Sequence, residues 1–202
     1  MANTCCNSIK VTGPEKDLTQ LSKHICAVID VAKKTSIYNY PGMDDLLQAL
    51  GYSPEQLKDI SRREWFNNDR PKIKDGVLSL CTESAWNFQG DAWELVKKKY
   101  PALDIYFQAE ELGNDIFCTN DTTGKYFPER YLLDWNQDGN GEMEFFNDND
   151  DVIEYVKNNI DEEVNDFESA MKALKGINEN GVDDDFAYLH EVEYFTDYAL
   201  VD

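Results

Sequence analysis

The segment DWNQDGNGE has the residue types and spacing of a calcium-binding loop. Oxygen ligands stand at its first, third and fifth positions, Asp134, Asn136 and Asp138, and Gly139 follows at the sixth. Such a loop wraps carboxylates around a hard cation, and its glycine permits the sharp turn. The second half departs from this pattern, because Phe145 stands where a bidentate glutamate belongs. Two interpretations therefore stay open, a calcium-binding module and a glycine-rich hairpin turn between two strands.

Carboxylates are dense over residues 148–168, where they could bind a basic protein surface. On a helix, rows of carboxylates at phosphate-like spacing would imitate the charge of DNA. The candidate residues are Asp148, Asp150, Asp151, Glu154, Asp161, Glu162, Glu163, Asp166 and Glu168. The alternative is a solvated acidic face that only keeps the protein in solution.

The sequence does not predict a catalytic constellation. An acid/base pair needs one desolvated and one solvated carboxylate across a cleft, and adjacent acids in an acidic chain do not indicate that arrangement. Five scattered cysteines and two histidines, with no CxxC pair, predict neither a catalytic thiol nor a zinc site. We therefore expect a non-enzymatic protein without a cofactor, calcium apart. An enzyme with a site near Trp86, Trp93 and Glu111 is a further alternative.

The stretch LLQALGYSPEQLKDI has the pattern of a helix, a tight turn and a second helix. Ser53 is predicted as the N-cap of the second helix, with Pro54 at its first position and Gln56 completing a capping box. A DNA-recognition helix needs a basic surface, but acids are interleaved here, and residues 58–75 have a net charge of only +2. Two small helices packed on the core are therefore predicted, and no direct nucleic-acid binding is expected.

The hydrophobic pattern predicts the elements that position these residues. Alternation and turn signals predict strands over 5–12, 74–84, 103–110, 115–120, 125–135 and 142–146. Three-four spacing predicts helices over 15–31, 90–100 and 148–175, the last one broken in two if Asn158-Asn159 interrupts it. Residues 33–70 have the pattern of a helical insertion. The segment 186–195 fits a helix or a strand equally well.

The charge is divided unevenly along the chain. Residues 1–100 have a net charge of +1, whereas residues 101–202 have a net charge of −22. Such a field repels nucleic acid and anionic membranes and attracts basic surfaces or cations. The acidic half is rich in aromatic residues, so we expect it to fold.

No apolar run approaches the ~20 residues of a membrane span, and no leader is recognised. A cytoplasmic location, with reduced cysteines, is expected.

Several short motifs resemble those of the YubB-like proteins, a protein family carried by plasmids, phages and conjugative elements. The matching segments are NTCCN at 3–7, IKVTG at 9–13, ESAW at 83–86, YP at 100–101, the strand at 103–110 and ELG at 111–113. The resemblance implies a ferredoxin-like domain and a mobile-element setting. It implies no activity and no catalytic residue.

Together these observations predict an α+β protein. We expect a ferredoxin-like antiparallel or mixed sheet over residues 1–146, with helices on one face, and an acidic, mainly helical region over residues 147–202 packed on it. The predicted function is a non-enzymatic interaction protein of a mobile element that binds a basic partner as a DNA mimic. The alternative is a calcium-binding module built on Asp134, Asn136 and Asp138.

Overall fold

The chain folds into two compact units with mixed α and β structure. The computed structural model describes residues 3–35, 41–60, 62–66, 70–137, 139–160, 163–180, 185–195 and 200–201. One unit comprises residues 1–122 and 194–202, and the other comprises residues 123–193. We call them the large unit and the acidic unit.

The large unit is built on one extended sheet. Its strands are β1 (Thr4–Thr12), β2 (Glu64–Phe66), β3 (Lys72–Lys74), β4 (Val77–Ala85), β5 (Asp104–Glu111) and β6 (Ile116–Thr119), with β10 (Glu193–Tyr194) at the far edge. Strand β1 lies at the centre, antiparallel to β4 on one side and to β5 on the other. Strand β6 pairs with β5, and the short strands β2 and β3 pair with β4, again antiparallel. The predicted α+β class is confirmed.

Three helices supply the other half of the large unit's core. They are α1 (Glu15–Thr35), α2 (Met43–Ala49) and α3 (Gly90–Lys99). The apolar stripe of α1 is buried, as its three-four spacing predicts, and it shares one core with the inward side chains of the sheet, such as Ile9 and Phe107. The alternate residues of β1 and β4 are polar or exposed, for example Ser8 and Glu83. Alternation along the strands thus assigns one sheet face to the core.

The predicted second helix of the insertion does not form. Both halves of its capping box are present, since Ser53 N donates to Gln56 Oε1 at 2.9 Å and Gln56 N donates to Ser53 Oγ at 3.4 Å. The chain nevertheless continues only as turns to Ile60. A cap satisfies the first amides of a helix, but propagation needs a longer buried face than the one provided here. Instead, residues 64–66 of the insertion form strand β2.

The acidic unit combines a three-stranded sheet with two helices. Strand β7 (Tyr131–Gln137) lies between β8 (Asn140–Phe146) and β9 (Phe186–Glu191), antiparallel to both. Helices α4 (Asn149–Asn159) and α5 (Phe167–Asn180) pack on one sheet face, where Val152, Val156 and Leu174 share a core with Leu133 and Phe146. The helix predicted over 148–175 is therefore interrupted after Asn159.

Two sequence predictions differ from this arrangement. The hairpin of β7 and β8 belongs with the helices that follow it, so the division lies at residue 122 and not at residue 146. Residues 186–191, whose sequence pattern fits a helix or a strand, form a strand. The region after α5 is therefore not mainly helical, contrary to the prediction for residues 147–202. The hairpin groups with the helices because Leu133 and Phe146 share their core, and β9 forms because it pairs along the edge of β7, with residues 50 to 60 positions away in sequence.

Candidate interaction surface

The acidic residues predicted to form one binding face have different structural roles. Asp148 is the N-cap of α4, and its Oδ1 accepts a hydrogen bond from Asp151 N at 3.0 Å. Asp151 Oδ2 in turn accepts from Asn147 N at 3.1 Å. The carboxylate of Asp148 satisfies an amide that the first turn of the helix leaves without a partner, and that of Asp151 holds the residue before the cap. Two of the predicted binding residues thus serve to start α4.

Asp166 plays the same role for α5. Ser169 N donates to Asp166 Oδ1 at 2.8 Å, and Ser169 Oγ lies 2.8 Å from the same oxygen. These hydrogen bonds favour the ionised carboxylate and lower the pKa of Asp166. The side chain is therefore held at the helix end by its own chain.

The remaining described acids of this set are free of capping roles and exposed to solvent. They are Asp150 and Glu154 on α4, Glu163 in the connection, and Glu168 in the first turn of α5. The nine acids do not share one helix face, because the chain leaves the helix at Ile160 and re-enters one at Phe167. Asp161 and Glu162 lie outside the described residues.

The residues of the predicted calcium loop lie on a strand. Asp134 and Asn136 belong to β7, and Gln137 pairs with Asn140 to close a hairpin in which Gly139 has a φ of +78°. An extended strand spaces alternate side chains by almost 7 Å and does not wrap them around a cation. Asp138 lies outside the described residues. Within the described ranges, no group of three or more His, Cys, Asp and Glu residues is placed to hold a metal ion. Calcium binding stays a prediction, which a calorimetric titration at millimolar calcium would test.

The sheet of the acidic unit has a second face that α4 and α5 do not cover. Leu132 on this face is fully buried, whereas the positions beyond it, toward the turn between β7 and β8, are partly or fully exposed. Tyr131, Leu133 and Trp135 of β7 point to α4 and α5, because they pack on the core of that unit. Asp134 and Asn136 alternate with them and therefore point to the opposite face. The cross-strand partners of Asp134 are Met143 on β8 and Tyr188 on β9, and those of Asn136 are Gly141 and Phe186. We call this set the open face.

The open face is apolar as well as acidic. The exposed fractions of Met143 and Tyr188 are 52% and 53%. Phe186 stacks on Tyr188 with ring centroids 5.7 Å apart and planes 22° from parallel. The charge pattern of the chain gave no indication of this surface. The alternation Phe-Ala-Tyr-Leu-His over residues 186–190 was the available signal, once that segment is taken as a strand.

A buried polar cluster lies below α3 in the large unit, on residues that include the NTCCN motif. Asn7 Nδ2 donates to Thr82 Oγ1 at 3.2 Å and to Ser84 Oγ at 2.9 Å. Thr82 Oγ1 donates to Glu64 Oε1 at 2.6 Å, and Trp93 Nε1 donates to the same carboxylate at 3.0 and 3.1 Å. The register brings these side chains together, since Asn7 is opposite Thr82 and Glu64 is opposite Ser84. The sequence pattern around Glu64 indicates no role for this residue.

Burial sets the ionisation of two groups in this cluster. Glu64 is almost completely buried, and desolvation raises its pKa to about 7, although its hydrogen bonds oppose the shift. Burial likewise raises the pKa of Cys5 to about 12, so its thiol stays protonated and a poor nucleophile.

Trp93, named in the enzyme alternative, is fully buried and donates to Glu64. Trp86 is 47% exposed with a φ of +74°, and Glu111 is buried. The cluster is suited to fixing the packing of α3 on the sheet.

Comparison of the chain with protein families, curated proteins and solved structures finds no match. Among the residues that the structure describes, no helix is long and apolar enough to cross a lipid bilayer.

Proposed function

We propose that this protein is a non-enzymatic interaction protein whose acidic unit binds a basic surface of another protein. The observation that carries the proposal is the concentration of charge in that unit. Residues 123–193 contain 20 acidic and five basic residues, a net charge of −15, whereas the rest of the chain has a net charge of −6. A field of this strength speeds and steers association with a basic partner.

The DNA-mimic form of the proposal depends on the exposed acids that have no capping role. Asp150, Glu154, Glu163 and Glu168 are exposed and lie within 19 residues of chain on α4, α5 and their connection. Their target would be a protein that binds phosphate rows with lysine and arginine side chains. Asp148, Asp151 and Asp166 contribute charge to the same surface while they cap the helices.

Charge reversal at three of these positions tests the proposal. The variant carries Glu154→Lys, Glu163→Lys and Glu168→Lys, which leaves all three capping aspartates in place. The matched control carries Glu55→Lys, Asp59→Lys and Glu83→Lys, an equal change of charge at exposed positions of the large unit. Each protein is used as bait in a bacterial lysate, and bound proteins are eluted along a salt gradient and identified by mass spectrometry.

The proposal expects one dominant DNA- or RNA-binding protein that elutes late from the wild type and the control and is lost from the acidic-unit variant. The purified partner should then release labelled duplex DNA when the wild type is added. Weak basic contaminants that leave all three baits at low salt would contradict the proposal, because screening removes non-specific attraction first.

We further propose that the large unit is ferredoxin-like. Its central strands have the order β5-β1-β4-β3, and each of these neighbours is antiparallel to the next. Helix α1 follows β1, and α3 connects β4 to β5. This order supports the β-α-β-β-α-β pattern of that fold. Cross-strand nuclear Overhauser effects from Ser8 to both Cys81 and Gln108 would test the register.

The mobile-element setting and the cytoplasmic location belong to the same proposal. The first is supported by the resemblance of the short motifs. The second is supported by the cysteines, since Cys5, Cys6, Cys26, Cys81 and Cys118 are all outside disulfides. A captured partner that acts in plasmid transfer or phage replication would support the setting, and an extracellular partner would contradict the location.

A further inference from the structure

The open face of the acidic unit places an acid between apolar side chains. Asp134 lies on the central strand, opposite Met143 on one side and Tyr188 on the other. Neighbouring strands lie about 4.8 Å apart, so the strands of Met143 and Tyr188 are separated by about 10 Å. All three side chains leave the sheet on the face opposite α4 and α5. Together they form a shallow site with a carboxylate at its floor and an apolar wall on each side.

The floor of this site is available for binding. Asp134 is half-buried, and none of the residues that the structure describes forms a hydrogen bond or an ion pair with its carboxylate. A carboxylate surrounded by apolar groups loses part of its hydration. Its attraction to a partner cation is therefore stronger than it is at an open surface. This separates Asp134 from the capping aspartates, whose oxygens already accept hydrogen bonds.

The walls of the site fit the body of a cationic side chain. Tyr188 is 53% exposed, and Phe186 stacks on it and restricts the ring. Met143, which is 52% exposed, supplies a flexible apolar contact on the other side. A cation over an aromatic ring gains about 0.5–2 kcal/mol from the ring's quadrupole.

We propose that the open face binds an arginine side chain in a basic segment of a partner protein. The guanidinium pairs with Asp134 and lies against Tyr188, and Met143 closes the opposite side. Arginine fits this chemistry better than lysine, because its planar group pairs with a carboxylate through two donors, stacks on aromatic rings and is more weakly hydrated. The net charge of −15 on this unit draws a basic segment to it, so the inference rests on the proposed function and names the partner's chemistry.

Fluorescence anisotropy with defined peptides tests the site. The probes are two fluorescein-labelled 12-residue peptides of equal charge, one alternating arginine with serine and one alternating lysine with serine, in 150 mM NaCl. The variants are Asp134→Asn and Tyr188→Ala, each in the full chain. Glu142→Gln, at an exposed position of β8 opposite Trp135, makes the same change of charge on the other face of the sheet. Tyr188→Phe keeps the ring and controls for its removal.

The expected result is tighter binding of the arginine peptide by the wild type. Asp134→Asn should weaken that binding about 10-fold, the equivalent of about 1.4 kcal/mol. Tyr188→Ala should weaken it several-fold, while Glu142→Gln and Tyr188→Phe stay within about twofold of the wild type. Far-ultraviolet circular dichroism confirms that each variant is folded.

Equal weakening by Asp134→Asn and Glu142→Gln would overturn the inference, and so would equal affinity for the two peptides or no binding by the wild type. The proposed function fails by a different result, the retention of captured partners after charge reversal of Glu154, Glu163 and Glu168. If the peptide test fails while that capture is lost on charge reversal, the acidic unit binds by charge alone.

Discussion

At the scale of single residues, Glu64 is a carboxyl group that is almost completely buried. Its carboxylate is enclosed by β4 and α3 and is held by the hydroxyl of Thr82 and the indole of Trp93. These two donors recover part of the desolvation cost but leave the pKa raised to about 7. The ionisation of Glu64 should therefore affect the stability of the fold near neutral pH.

Glu64→Gln should change how stability depends on pH. In the wild type the folded protein holds the Glu64 proton up to about pH 7, whereas the unfolded chain releases it near pH 4.5, the ordinary value. Between these values the folded state binds more protons, so this group's contribution to the free energy of unfolding falls as pH rises. The total change is about 3 kcal/mol at most, from about 1.4 kcal/mol per pKa unit.

Urea unfolding at several pH values between 4.5 and 8 measures this effect as the difference between wild type and variant. That difference should shift in favour of Glu64→Gln as pH rises. Glu83→Gln on the exposed side of β4 is the matched control and should show no such trend. Parallel curves for wild type and Glu64→Gln would show that the buried carboxyl titrates normally.

The cysteines offer a second residue-scale prediction. Cys5 and Cys118 are buried, and the pKa of Cys5 is raised to about 12. Cys6 and Cys81 are exposed on the outer side of the sheet, although partial desolvation and the nearby Glu110 and Glu83 also raise the pKa of Cys6. Iodoacetamide at pH 8 should therefore label Cys6 and Cys81 first and leave Cys5 and Cys118 unmodified in the folded protein. Intact-mass analysis followed by peptide mapping measures this order, and guanidinium should make all five react. Early modification of Cys5 would contradict the buried position of β1.

At the scale of elements, the two helices of the acidic unit depend on aspartate caps. Both caps are visible in the sequence as an aspartate followed three residues later by Asp151 or Ser169. What the sequence pattern could not decide was whether the stripe from Ile153 to Leu174 forms one helix. The caps and Ile160, where α4 ends, divide it. An interruption of this kind depends on how each half packs on the sheet, and not on local propensity.

Removal of one cap should loosen α4 locally. Asp148→Ala deletes the acceptor for Asp151 N and should cost about 1 kcal/mol of helix stability, whereas Asp148→Ser should cost less because serine also caps. Amide hydrogen exchange of residues 149–159 measures the change as faster exchange. Asp150→Ala, which removes a first-turn charge but no cap, is the control and should have a smaller effect. Equal acceleration by Asp148→Ala and Asp150→Ala would mean that charge alone starts the helix.

At the scale of the whole molecule, the net charge of −21 opposes compaction. The fold tolerates it because more than half of the acids in the part of the chain that the structure describes are exposed. Two hydrophobic cores lie below the sheet faces that the helices cover. The charge that we propose draws a basic partner therefore also lowers the stability of the protein alone.

Added salt should stabilise the protein. An increase from about 10 mM to about 300 mM NaCl shortens the screening length from about 30 Å to below 8 Å, and the melting temperature should rise by several degrees. Differential scanning calorimetry measures this. A variant with Glu154→Gln, Glu163→Gln and Glu168→Gln should show a smaller increase with salt. A melting temperature independent of salt would show that repulsion among the acids is negligible.

The sequence alone determined the α+β class, the strand and helix of the first 35 residues, the hairpin at residues 137–140 and the acidic character of the second half. These features depend on local alternation, three-four spacing, turn residues and composition, all of which act over a few neighbouring positions. Only the tertiary structure decided that β9 completes the sheet of the acidic unit, that Glu64 is buried against Trp93, and that Asp134 lies on the open face. Each of these depends on pairing between distant parts of the chain, and the register of that pairing determines which side chains share a face.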